Sequence, residues 1–212
     1  NMSYSPAKDR RFFISYLANG SKKKLVQNTN TQNFTTDGSY LQEQDRDETK
    51  RDTAHSLNFG IRYRIDSSQS IFLDGGGSIN FSNNWGQTFT NSYRDDQQVN
   101  WLDNNANQSS DRINGSVKAS WVKKLNVGKT VAKVSGNGSI NQSLNNQQWQ
   151  NRIFFNSTNL ESIESLYQKN QTDNLSYSGR ASLTQKIGKR LYMIPEIGAS
   201  SSRETLVRTQ GI

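Results

Sequence analysis

Residues 56–82, SLNFGIRYRIDSSQSIFLDGGGSINFS, alternate apolar and polar side chains so regularly that only an extended chain can use the pattern. Leu57, Phe59, Ile61, Tyr63 and Ile65 oppose Ser56, Asn58, Gly60, Arg62 and Arg64, a period of two that a strand sorts onto separate faces and a helix would scatter. After Asp66-Ser67-Ser68-Gln69, a run of turn residues, the alternation resumes as Ile71, Leu73, Gly75, Gly77, Ile79 and Phe81 against Phe72, Asp74, Gly76, Ser78, Asn80 and Ser82. A β-hairpin with one apolar and one polar face is predicted. What covers the apolar face decides everything else.

The same unit recurs along the chain. A first tight turn, Ala7-Lys8-Asp9-Arg10 after Pro6, ends a strand over residues 1–5 and opens one carrying Phe12, Ile14, Tyr16 and Ala18 on one face. Residues 111–125 set Ile113, Gly115, Val117, Ala119 and Trp121 against Asn114, Ser116, Lys118 and Ser120. They return through Asn126-Val127-Gly128-Lys129 to Ala132, Val134, Gly136, Gly138 and Ile140. A last pair carries Leu175, Tyr177, Gly179, Ala181 and Leu183, then Leu191, Met193, Pro195, Ile197 and Ala199 after Gly188-Lys189-Arg190. The tight turns recur about every 60 residues, with a polar stretch of roughly 25 to 35 residues between successive turns.

Those polar stretches, residues 19–55, 83–110 and 141–174, are predicted as long loops. Asp37-Gly38 is a candidate tip of the first, and the run EQDRDETKRD at residues 43–52 reads as a solvated, charge-compensated segment and not a calcium loop. In the third, Thr158-Asn159-Leu160-Glu161 resembles a capping box, and Leu160, Ile163, Leu166 and Tyr167 at helical spacing predict a short surface helix. Short turns at one end and long loops at the other describe an all-β fold: an up-and-down antiparallel meander of about eight strands, residues 1–212 forming a single segment of a transmembrane β-barrel.

Composition narrows the function. Only 31% of the residues are apolar and the mean hydropathy is -0.89, thin supply for a two-layer soluble core, and the apolar faces are rich in Gly and Ala. Disorder would share the low hydropathy and the net charge of +8, but not aromatic and β-branched residues in strict alternation. Zero Cys and the single His55 leave no thiolate or imidazole cluster, so neither a metal or other cofactor nor a catalytic centre is expected, and the chain reads as non-enzymatic. The pI near 9.7 comes from dispersed Lys and Arg without a stacking motif, so nucleic acid is not the expected partner. No stretch of about 18 apolar residues is present, but a spanning β-strand needs only about 9 to 11 in alternation.

Membrane lipid is therefore expected against Leu57, Phe59, Ile61, Tyr63, Ile65, Ile71, Leu73, Ile79, Phe81, Val117, Ala119, Trp121, Tyr177, Ala181 and Leu183. A wet lumen is expected against Arg62, Arg64, Asp74, Lys118, Arg180 and Glu196. Phe12, Tyr63, Trp121 and Tyr192, near the short turns, form a candidate interfacial girdle. The expected hairpin register pairs Asp66 with Ser70 around a three-residue turn, Arg62 with Asp74, and Phe59 with Gly77.

The hairpins AKDRRFFISYLAN, FGIRYRIDSSQSIFL and YSGRASLTQKIGKRLYMIPEIGAS, in this order and separated by long Asn/Gln-rich stretches, resemble the outer-membrane β-barrel family related to TonB-dependent receptors of Gram-negative bacteria. The resemblance implies a receptor in the cell outer membrane that takes up an external substrate, with transport driven through an inner-membrane energy-coupling complex. It covers nearly the whole chain as a diffuse pattern. In such receptors a plug domain and an N-terminal box precede the barrel and an aromatic strand ends it. None of these features, and no signal peptide, is visible here, so a middle section of the barrel wall is expected. The competing expectation is a secreted soluble β-sandwich or small barrel binding carbohydrate through Trp85, Trp101 and Trp149.

Overall fold

A computed structural model describes residues 2–7, 9–35, 38–126 and 128–211. The candidate turn positions Lys8, Asp37 and Val127 lie outside the described residues. In chain order the strands are β1 (Met2–Ala7), β2 (Arg10–Thr35), β3 (Gly38–Arg64), β4 (Gln69–Arg94), β5 (Gln97–Asn126), β6 (Thr130–Phe155), β7 (Leu160–Lys186), β8 (Tyr192–Met193) and β9 (Glu196–Gly211). All pair antiparallel with their sequence neighbours, except that β9 pairs with β7 in the continuation of β8. Pro195, which has no amide hydrogen to donate, lies in the interruption between them. The result is one antiparallel meander in a single layer, and among the described residues β1 and β9 do not pair with each other.

The polar stretches depart from expectation. They are strand, not loop: β3 runs 27 residues and β5 runs 30, and the antiparallel ladders extend along the polar stretches. The reason is that ladder hydrogen bonds are sequence-independent. Asn, Gln, Ser and Thr on both faces cost no apolar exposure, so pairing that starts at an apolar hairpin continues outward until a turn stops it. One such turn is Asp95-Asp96, with φ of 48° and 64° between the paired residues Arg94 and Gln97. Positive φ at both central residues is the geometry that matches strand twist, and Asp tolerates it. Asp95 also bonds across the tip to Ser39, whose amide donates to its Oδ1 at 3.0 Å.

The predicted helix near residues 158–167 is absent. Phe155 pairs with Leu160 across a four-residue turn ending at Asn159, whose φ of 50° is left-handed, and Leu160 opens β7. The capping residues serve the turn, and the helical spacing of Leu160, Ile163 and Leu166 divides between the two faces of a strand. Residues 43–52 likewise lie in β3, and their charges compensate within the sheet: Lys24 to Asp47 at 3.0 Å, Lys50 to Asp52 at 3.5 Å, and Arg46 to Glu48.

The register of the opening hairpin is two residues from the expected one. Arg62 opposes Phe72, Gly60 opposes Asp74, Phe59 opposes Gly75, and Arg64 pairs with Ser70. The three-residue turn is Asp66-Ser67-Ser68, closed by the Ile65 amide donating to the Gln69 carbonyl at 3.0 Å. Asp66 belongs to the turn because its Oδ1 accepts the amides of Ser68 at 2.6 Å and Gln69 at 2.8 Å, with the Ser68 hydroxyl at 2.7 Å. In the ladder position opposite Ser70 that carboxylate could not fold back over the tip. A shift of two residues preserves every face assignment.

Candidate functional site

Register across the whole sheet sorts the side chains into two surfaces. On the apolar face, Tyr63, Ile71, Trp121, Val134, Ala181 and Ile197 form one row from β3 to β9. The next rows follow Ile61, Leu73 and Ala119, then Phe59, Val117 and Tyr177, then Leu57, Ile140 and Leu175. Ile65 and Leu183 continue the band at its short-turn edge, while Ile79 and Phe81 lie beyond its other edge, where His55, Gln142, Asp173 and Gln171 enter the rows. All fifteen residues expected on the apolar side thus share one face. Uninterrupted, the band is about nine residues tall on β3, the length a tilted strand needs to cross a bilayer's hydrocarbon.

Nothing among the described residues packs over this face. Among the described residues no apolar side chain is buried, and Leu57, Ile71, Phe81, Val117 and Tyr177 are all exposed. Thr90 and Ser92, on the opposite face of β4 and far out along the strand extension, are 3% and 4% exposed. The Gly residues of the apolar face are partly filled by neighbours: an added Cβ on Gly75 would come within 2.5 Å of Phe59 Cζ.

At the short-turn edge of the band, cations sit over aromatic rings. The Arg10 guanidinium lies 5.0 Å from the Tyr63 ring centre, and Lys123 Nζ lies 5.9 Å from that of Trp121. A long cationic chain that buries its stem against a ring and keeps its charge outward suits an apolar-to-aqueous boundary. Of the proposed girdle, Tyr63 and Trp121 share a row and Phe12 lies one row inward, opposite Ile61. Tyr192 does not belong with them. It opposes Lys186, on the row alternate to Met193, because the register that pairs Gln185 with Met193 runs unshifted into Ser182 with Glu196 and so keeps Tyr192 on the polar face.

Arg62, Arg64, Asp74, Lys118, Arg180 and Glu196 all fall on the polar face. Arg64 pairs with Asp9 at 3.1 Å and Arg180 with Glu196 at 3.1 Å, while Asp74 lies opposite Lys118 instead of Arg62. A concavity of ≈ 660 Å³ there is lined by Lys118, Lys133, Asn137, Ser178, Arg180 and Glu196. Phe13, Phe72 and Lys133 share this face, as alternation from Phe12, Ile71 and Ala132 places them, and Arg11, to which the sequence reading gave no face, joins them opposite Arg62. Phe13 is there to roof Gly60, where an added Cβ would collide with its ring.

Beyond the band the paired strands carry polar side chains on both faces. Trp85, Trp101 and Trp149 do not converge: Trp85 and Trp149 are on opposite faces, and Trp101 stacks on Phe154 at 5.8 Å with Phe89 tilted against it at 5.9 Å. Arg152 lies over Trp101 and pairs with Glu161, whose carboxyl it holds below the ordinary range by that hydrogen bond.

No family model matches the chain, and no curated protein matches it. Among solved structures, OmpT of Vibrio cholerae, an outer membrane protein folded in vitro, aligns with 97% of this chain and 100% of its own at 8% identity. Its TM-score of 0.14 is too low to carry an inference.

Proposed function

We propose that this chain is a wall segment of an outer-membrane β-barrel, with its apolar face against lipid and its polar face toward a wet lumen. The observation that carries the reading is a single-layer sheet with a continuous apolar band and no buried apolar side chain among the described residues. A soluble sandwich needs a second layer about 10 Å away to cover such a face, and the described residues form one sheet only. Lipid tails conform to a surface built of Gly and Ala between larger residues, and a band about nine residues tall fits their thickness. The long strands beyond it then stand in the external medium, where polar residues on both faces are at home.

Within that reading, and on the resemblance of the short-turn hairpins to TonB-dependent receptors, the barrel takes up an external substrate along the polar face. Work for transport enters through an inner-membrane energy-coupling complex. The chain itself makes and breaks no bonds, binds no cofactor and engages no nucleic acid.

The absence of native Cys makes the test direct. Val117→Cys and Ser116→Cys are adjacent on β5 and point to opposite faces. Each is labelled with an environment-sensitive fluorophore in the protein reconstituted into lipid vesicles. Expected is quenching of the label at residue 117 by lipid-borne quenchers and of that at residue 116 by aqueous iodide. Iodide quenching at both positions, or lipid quenching at neither, overturns the reading.

A further inference from the structure

We propose that the apolar-side surface of the strand extensions, between Trp85 and Tyr167, is a binding groove for a neutral oligosaccharide. The two rings lie in one row, Trp85 on β4 and Tyr167 on β7, with Asn107 and Gln148 between them in direct register. Three strand spacings separate the rings, about 14 Å, which is the reach of two to three sugar units. Asn105 and Gln150 occupy the adjoining row, and the hollow the four amides floor measures ≈ 550 Å³, within the range of ligand sites.

Its chemistry is selective by what lines it. In a chain of net charge +8, no charged side chain among the described residues lines this hollow, which argues against a phosphate, an acidic peptide or a nucleic acid strand, each of which calls for cations. A purely apolar ligand would strand the amides. Among the described residues, Asn105, Asn107, Gln148 and Gln150 make no side-chain hydrogen bond within the chain, whereas Asn104 and Asn151 on the reverse face bond to each other. Each free carboxamide offers a donor and an acceptor, as each sugar hydroxyl does. Trp85 is 45% exposed, leaving its ring accessible, and the C–H face of a pyranose stacks on such a ring while its hydroxyl rim meets the amides. A polar floor between two aromatic ends matches a ligand that is apolar on its flat faces and hydroxylated at its edge.

The groove stands independently of the barrel reading. It lies several rows beyond the apolar band, so the sugar could be free in the medium or carried on an envelope lipid. The test is binding of the full chain, held in a sugar-free amine-oxide detergent, to an array of neutral di- to tetrasaccharides and of polysaccharides released from bacterial envelope lipid. Saturable binding is expected, and the class of glycan bound distinguishes the two sources. Trp85→Ala, Tyr167→Ala and Gln148→Ala should each weaken it about tenfold, with Trp101→Ala changing it less than about twofold. Gln148→Ala leaves both rings in place and so separates loss of contact from loss of fold, which circular dichroism monitors for each variant. Absence of binding to every glycan, or loss of binding in Trp101→Ala equal to that in Trp85→Ala, overturns the proposal.

Discussion

Phe59 lies opposite Gly75 across the β3–β4 ladder, and its ring occupies the space a side chain at residue 75 would need, with Cζ 2.5 Å from an ideal Cβ. Gly75→Val should therefore push the ring out of place on the apolar face and cost about 1 to 3 kcal/mol, the usual range for overpacking. Gly75→Ala should cost less, because the ring tip can swing. Urea unfolding of the folded protein, compared with Gly179→Ala, where nothing lies within 4 Å of the added carbon, measures the difference.

Asp66 ties the opening turn with hydrogen bonds from both the backbone and side chains of Ser68 and Gln69. Those donors, Ser68 foremost, hold its carboxyl below the ordinary carboxylate value. A depressed folded-state value means the contribution is complete above the unfolded-state value of about 4 and fades as pH falls through the folded one. Asp66→Ala should be less stable than wild type at pH 7, and the gap should close in acid. Paired unfolding curves across that range check it, and a gap that persists unchanged in acid would count against the turn's dependence on the carboxylate.

Ile61 sits in the middle of the apolar band, between the rows of Phe59 and Tyr63. Near a bilayer midplane, Ile61→Arg should cost about 2 to 4 kcal/mol, whereas Ser116→Arg on the polar face should be tolerated. Folding titrations into lipid vesicles read both. Equal behaviour of the two would mean that the faces have been exchanged or that lipid is not the covering phase.

Arg180 and Glu196 pair at 3.1 Å with both side chains well exposed on the polar face. Screening by water limits such a pair, so Glu196→Gln should change stability by less than about 1 kcal/mol, and 1 M salt should erase even that. A larger loss in thermal unfolding would indicate a drier surroundings for the polar face than an aqueous lumen provides.

Alternation was legible in the residues themselves. Leu57 to Ile65 and Val117 to Trp121 put one face out of two under apolar side chains whatever the neighbours, since a strand's period is a property of its own backbone. The tight turns were legible too, from Asp66-Ser67-Ser68 and Gly188-Lys189, and together these determined an antiparallel meander. Register was not. Two-residue slips keep every face intact, so the choice between Arg62 and Gly60 as the partner of Asp74 fell to the Asp66 carboxylate folding over its own turn. The long polar stretches carried no alternation to read, because Asn, Gln, Ser and Thr are equally content on either side of a solvated sheet. Their strand state comes from backbone pairing with neighbours already held in place. The juxtaposition of Trp85 with Tyr167 likewise exists only in the folded sheet. Their row spans three ladders, each adding its own register, and no local pattern in either strand encodes that sum.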